Sequence, residues 1–251
     1  MRFTVQSDIG RKRAVNEDRA ILLQRDPDMT LAIVADGMGG HNAGDVASAM
    51  AVEGFSEAFL AADVATLHSS EAIREWLQTV IKHINKRIYN YSLTHEECQG
   101  MGTTIIAALI QNGQATVCHV GDSRMYVVDS EKIQQITKDH SYVNVLLESG
   151  EISEEEAASH PQKNYIIKSL GTEATIAPDY YQVGLLPSTY VLICSDGLSN
   201  KLSSAELHNI IMSEQSLDDK GMTLIQVANE YGGEDNITFI LLEKQKEGVD
   251  V

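Results

Sequence analysis

Two nearly unbroken apolar runs each lead into an Asp-Gly pair. Leu31-Ala32-Ile33-Val34-Ala35 enters Asp36-Gly37, and Tyr190-Val191-Leu192-Ile193-Cys194 enters Asp196-Gly197 through Ser195. Short continuous runs of this kind read as strands buried on both faces. A carboxylate where such a strand leaves the core is costly to desolvate unless a positive charge meets it. Two of them, far apart in the chain but alike in setting, point to a shared cation. Asp-Gly is also a hairpin turn signal. Helix-like segments follow both pairs, however, where a hairpin requires a returning strand.

The 251 residues fit one large domain or two small ones, and 43% hydrophobic content suffices for a sizeable core. Nineteen basic against thirty-six acidic residues give a net charge of -17, which disfavours nucleic acid or an anionic membrane as partner. Cys98, Cys118 and Cys194 are odd in number and lack Cys-x-x-Cys spacing, so neither a disulfide framework nor a zinc site is expected. No signal-peptide core opens the sequence and no stretch approaches membrane-spanning length; a reducing cytoplasm is the expected home.

Apolar spacing predicts strands near 2–8, 19–25 and 30–35, then a helix over 43–61 with Val46, Ala47, Met50, Ala51, Phe55, Ala58 and Phe59 on one face. A second helix is predicted over 70–92, followed by strands at 103–110, 114–120, 124–128 and 132–137. Two short helical pieces are expected within 139–170, where Ser153 and Glu156 have capping-box spacing. A strand at 189–194, helices at 203–213 and 217–231 and a strand at 237–243 complete the reading. Helices fall in pairs between blocks of strands, so the expected class is α+β, sheet packed on sheet with helices outside. One domain over 1–243 and a charged, frayed tail over 244–251 are expected.

Five aspartates stand at predicted strand ends or turns: Asp18, Asp36, Asp122, Asp196 and Asp235. Each has an ordinary explanation, as a turn residue or a solvated edge residue. Together they suit a hard cation such as Mg²⁺ or Mn²⁺, which takes oxygen ligands. Gly37 has no side chain, so its carbonyl is free to approach a metal held by Asp36.

Taken in order, Gly10-Arg11-Lys12-Arg13-Ala14-Val15-Asn16-Glu17-Asp18, Val34-Ala35-Asp36-Gly37-Met38-Gly39-Gly40-His41, Gly102-Thr103-Thr104, Gly121-Asp122-Ser123-Arg124, Ser195-Asp196-Gly197-Leu198 and Asp235-Asn236 resemble the metal-dependent type 2C protein phosphatases, in their bacterial form. The resemblance implies a four-layer α/β/β/α sandwich, two mostly antiparallel sheets flanked by helix pairs. It also implies hydrolysis of phosphoserine and phosphothreonine by direct attack of a metal-bridging water. By motif, Asp36 bridges two Mn²⁺ or Mg²⁺ ions, the Gly37 carbonyl joins one, and Asp196 and Asp235 hold the other. Asp122 serves a third, weaker site with Asp196. Asp18 and Glu17 hold metal-bound waters, Asn236 supports the site from behind, and Arg13 binds the phosphate. Met38 stands where animal members have His, so no side chain is assigned as general acid, and a metal-bound water is the candidate donor. His41 is expected to play a structural part in the Gly-rich loop. The segment 139–170 matches the family's flap and is expected to influence which phosphoproteins are accepted. Phosphorylated proteins, a eukaryotic-like serine/threonine kinase as opponent, and a monomeric state complete the expectations.

Cys118-His119-Val120-Gly121-Asp122-Ser123-Arg124 also has the Cys-x₅-Arg spacing of thiolate phosphatases. It lacks a glycine-rich cradle, and Cys118 fits a period-two strand face with Thr116 and Val120. A third reading is a phosphatase-like domain that only binds a partner. The acidic residue at every expected position disfavours it.

Overall fold

The computed structural model describes residues 1–26, 28–40 and 43–245. The chain opens with β1 (Arg2–Asp8), β2 (Asp18–Asp26) and β3 (Met29–Met38), followed by helices α1 (Ala43–Ala61) and α2 (Ser70–Thr94). The central strands are β4 (Gly102–Thr103), β5 (Ile105–Gln111), β6 (Gln114–Val120), β7 (Arg124–Val128) and β8 (Ile133–Gln135). Short helices α3 (Tyr142–Ser149) and α4 (Glu154–Ser159) precede β9 (Asp179–Gly184) and β10 (Tyr190–Cys194). The last elements are α5 (Asp196–Ser199), α6 (Ser204–Ile211), α7 (Leu217–Glu230) and β11 (Ile237–Glu243).

One sheet has the order β1-β11-β10-β7-β8 and the other β2-β3-β5-β6-β9, with β4 paired to the end of β3. The pairings are antiparallel throughout. Period-two alternation explains the unbroken apolar runs. Leu31, Ile33 and Ala35 of β3 face the layer of α1 and α2, whereas Ala32 and Val34 face the other sheet. In β10, Val191 and Ile193 point between the sheets while Leu192 and Cys194 point towards α6 and α7. Both faces are therefore dry, and four layers result: helices, sheet, sheet, helices.

The predicted helix stripe holds. Ile73, Leu77, Ile81, Ile84 and Ile88 of α2 are buried, and Trp76 packs edge-on against Phe55 and Phe59 of α1 at ring separations of 6.5 and 6.3 Å. Both Ser153–Glu156 and, unforeseen, Ser203–Glu206 form capping boxes.

Four readings need correction. Asp36 and Gly37 lie inside β3, which continues to Met38 because Gly37 pairs with Thr103. The strand predicted over 103–110 breaks at Thr104, which leaves the ladder to bind the Asp36 backbone. Strand β9 was missed, since Asp179-Tyr180-Tyr181-Gln182-Val183-Gly184 is a half-exposed sheet edge with weak alternation. The single turn α5 was missed as well. His41, Asn42 and residues 246–251 of the expected tail lie outside the described residues.

Candidate active site

All five aspartates come to the same end of the sandwich. Asp18 opens β2, Asp36 lies near the close of β3, Asp122 sits in the turn from β6 to β7, Asp196 follows β10, and Asp235 precedes β11. Antiparallel pairing brings these chain ends side by side: Asp18 is the cross-strand partner of Asp36, and Cys194 pairs with both Phe239 and Arg124. Two carboxylates directly opposite on neighbouring strands repel, which a sheet does not tolerate without compensation.

The backbone around Asp36 is held from two sides. Thr104 accepts the Asp36 amide at 2.9 Å, and the Thr104 amide and Thr103 hydroxyl donate to the Asp36 carbonyl at 2.8 and 2.9 Å. Thr104 also meets Ser123 at 2.8 Å, joining this strand break to the turn that carries Asp122. Gly37 has no room for a side chain, since a Cβ there would lie 2.1 Å from the Gly44 carbonyl oxygen and 2.7 Å from that of Glu17. Glu17 itself sits at the N-terminus of α1, where burial raises its pKa against the opposing pull of Arg13 and of the Gly44 and Asp45 amides.

Asn236 fastens the loop that carries Arg13. Its Oδ1 accepts the Glu17 amide at 2.9 Å, and its Nδ2 donates to the Ile9 and Val15 carbonyls, both at 3.0 Å. The Arg11 and Lys12 amides donate to the Gly233 carbonyl at 2.7 and 3.2 Å, so the loops around Arg13 and Asp235 are tied together. Arg13 Nη2 consequently donates to Asp235 Oδ2 at 2.7 Å. Asn236→Ala strips three polar backbone groups of their partner and is expected to cost about 2–4 kcal/mol. Urea unfolding of the purified variant checks this, and an unchanged midpoint refutes it.

The basin holds far more negative than positive charge. Asp18 is 2% exposed, and burial lifts its carboxyl to about 7 although Ser195 donates to its Oδ2 at 2.7 Å. Asp36 is pushed well upward by desolvation and by the charges of Asp18, Asp196, Asp122 and Asp235. Asp122 moves the same way through burial, then Asp196 and Asp139. Desolvation and Asp235 raise Asp196 to about 6, opposed by the charges of Arg124 and Arg13. Arg124 supplies little relief, being bound by Asp139 at 2.6 Å.

Among the described residues, no three acidic, imidazole or thiol side chains already close on one point. The carboxylates lie near enough to oppose one another's ionisation, which a divalent cation among them would relieve. Asp18 Oδ1 and Asp122 Oδ1 are buried without a hydrogen-bond partner among the described residues. Glu17 Oε1 is orphaned in the same way. Arg13 is the cation paired with Asp235. Oxygen donors only, three of them unpaired, fit a hard divalent ion such as Mg²⁺ or Mn²⁺ and suit a soft metal poorly.

A sequence profile of the protein phosphatase 2C family matches residues 9–238. The chain belongs to that family. It is a metal-dependent protein serine/threonine phosphatase of the bacterial type. A relative described as serine/threonine phosphatase stp, from Listeria monocytogenes serotype 4b, is 42% identical over 244 residues, covering 97% of this chain and 96% of that one. The crystal structure of serine/threonine phosphatase Stp1 from Staphylococcus aureus superposes with a TM-score of 0.90 at 36% identity, over 97% of this chain and 94% of the other. The catalytic domain of the phosphatase PstP, solved in complex with two manganese ions, superposes with a TM-score of 0.83 at 28% identity, each chain covered to 98%. Among the described residues of this phosphatase, no helix is long and apolar enough to cross a membrane.

The site has parts that the motifs did not announce. Ser195 stands beside Asp196 in its motif, yet its hydroxyl holds Asp18. Glu234 receives both Lys12 and Lys201, bracing the loop of Asp235. His140 binds the turn before Asp122. The Cys-x₅-Arg reading fails on geometry: Cys118 is fully buried beneath the α1–α2 layer and its thiol is pushed up to about 12 by burial. Arg124 turns to Asp139.

Proposed function

We propose that this phosphatase hydrolyses phosphoserine and phosphothreonine in proteins by direct attack of water, with no phosphoenzyme. The observation that carries this is the convergence of five distant aspartates beside one guanidinium at a single end of the sandwich. Asp36, the Gly37 carbonyl, Asp196 and Asp235 would hold two divalent cations. Asp122 and Asp196 are assigned a third, weaker position, and Asp18 with Glu17 the bound waters. When bound, the ions would supply an acidified water as nucleophile and screen the charge of the phosphate.

The remaining work falls to side chains. Arg13 is 44% exposed, so its fork can turn from Asp235 to the phosphate oxygens and bind them in bidentate fashion. Met38 presents a thioether and cannot protonate the departing serine oxygen. The insert 139–170 is proposed to select among phosphoproteins, a eukaryotic-like serine/threonine kinase to be the opposing enzyme, and the working state to be a monomer.

The deciding experiment is turnover of p-nitrophenyl phosphate with Mn²⁺ or Mg²⁺ and with chelator. Activity that disappears on chelation, survives Cys118→Ser and is lost in Asp36→Ala supports the reading. Activity that resists chelation and dies with Cys118 overturns it, as does the absence of turnover with any divalent metal. Arg13→Ala is expected to lower kcat/KM by about 10²-fold, roughly the value of a charge-assisted bidentate contact. Arg13→Lys should recover little of it, because an ammonium lacks the planar fork. Full recovery by Lys would remove the bidentate role.

A further inference from the structure

His140 stands at the entrance to the 139–170 insert, and it engages both backbone polar groups of one residue in the metal-site turn. Its amide donates to the Gly121 carbonyl at 2.8 Å, and its Nδ1 accepts the Gly121 amide at 3.1 Å. Gly121 is held at φ +108°, where side chains are strained, and a Cβ would fall 2.6 Å from Thr104. The next residue is Asp122, 6% exposed, whose Oδ1 has no partner among the described residues. Tilting the Gly121 peptide therefore re-aims the Asp122 carboxylate.

The same histidine is fixed from behind. Its ring stacks on His119 with centroids 4.9 Å apart, and its Nε2 faces Asp179 Oδ2 at 3.4 Å. Its carbonyl accepts the Ile167 amide at 2.9 Å, and the Tyr142 amide donates to the Tyr165 carbonyl at 2.9 Å. The segments that enter and leave the insert, joined by an isolated bridge between Ser141 and Ile166, thus close on His140. Burial and the charge of Lys168 hold the ring neutral. Because Nδ1 accepts, the proton resides on Nε2, towards Asp179.

We propose that His140 is a positioning residue for Asp122. Through Gly121 it sets the direction of that carboxylate, and with it the third, weakest cation position, and it ties that position to the base of the insert. This rests on the assignment of Asp122 as a cation ligand. Partners of metal ligands commonly change affinity 10–100-fold when removed.

The test is Mn²⁺ titration by calorimetry of the full chain and three variants. Asn places its amide near the position of Nδ1, whereas Gln reaches towards Nε2. His140→Ala and His140→Gln are expected to weaken the weakest Mn²⁺ step about 10-fold or more, and His140→Asn to restore it. Equal effects of Asn and Gln, or an unchanged weak step in all three, overturn the proposal. The wild-type protein supplies a measurement independent of variant folding. Long-range ¹H–¹⁵N spectra of the imidazoles should show His140 protonated on Nε2; a proton on Nδ1 overturns the clamp. Should wild-type protein bind no Mn²⁺ and hydrolyse no phosphate ester, the proposed function falls, while the tautomer still decides the clamp.

Discussion

Asp36→Asn is expected to abolish turnover and, at the same time, to raise the thermal midpoint of the metal-free protein. The two effects share one cause. Asp36 faces Asp18 across the strands and feels the charges of Asp196, Asp122 and Asp235 as well, so its ionised form is opposed from four directions. An amide keeps the shape and removes the repulsion. For a chain of this size each kcal/mol relieved raises the midpoint by about 2–4 °C. Activity should fall by about 10³-fold or more, equivalent to roughly 4 kcal/mol of transition-state stabilisation. Calorimetric scans in chelator, paired with initial rates at saturating Mn²⁺, read both quantities. A variant that is both inactive and less stable without metal would show that Asp36 is a structural carboxylate, already compensated in the fold.

The second large effect concerns pH. Carboxyls whose folded pKa lies above the unfolded value near 4 hold protons that the unfolded chain has released, so stability falls as pH rises between the two values. Asp18 at about 7 and Asp196 at about 6 contribute in this sense, and Asp36 and Asp122 are displaced in the same direction. His119 opposes them. Burial lowers its pKa to about 3, so its contribution grows as pH rises from about 3 to 6.5. Glu17 is raised like the four aspartates and His140 is lowered like His119, so five carboxyls against two imidazoles decide the sign: metal-free protein should lose stability from pH 4.5 to 7.5. With Mn²⁺ the trend reverses, because the ion binds only the deprotonated ligands. A 100-fold excess over Kd contributes about 2.7 kcal/mol per site. Urea unfolding across that range, with chelator and with Mn²⁺, provides the check. Parallel curves in the two conditions would remove the cation from the account.

Much of this arrangement was readable before folding, for physical reasons. A strand buried on both faces must be apolar throughout, so its boundary with the first charged residue is sharp, and Asp36 and Asp196 stand on such boundaries. Helices α1 and α2 bury one stripe each, and their spacing shows it. What escaped reading depends on contacts distant in sequence or on weak patterns. The run from Gly102 to Ile110 looks continuous because Thr104 fits a strand as well as it fits a clasp for Asp36. Strand β9 lies at an edge, half in solvent, where alternation is not enforced. His140 acts on a backbone nineteen residues away, which no composition or spacing records.

The ion pair of Arg13 with Asp235 implies an order of assembly. One guanidinium cannot serve two anions, and while Asp235 keeps its full charge it competes with any incoming ester for the same fork. On the proposed assignment of Asp235 as a cation ligand, a bound ion would compensate that carboxylate and release the arginine. A chain short of divalent ions would then be a poor captor of its targets as well as an idle catalyst, leaving phosphorylated proteins free for other readers.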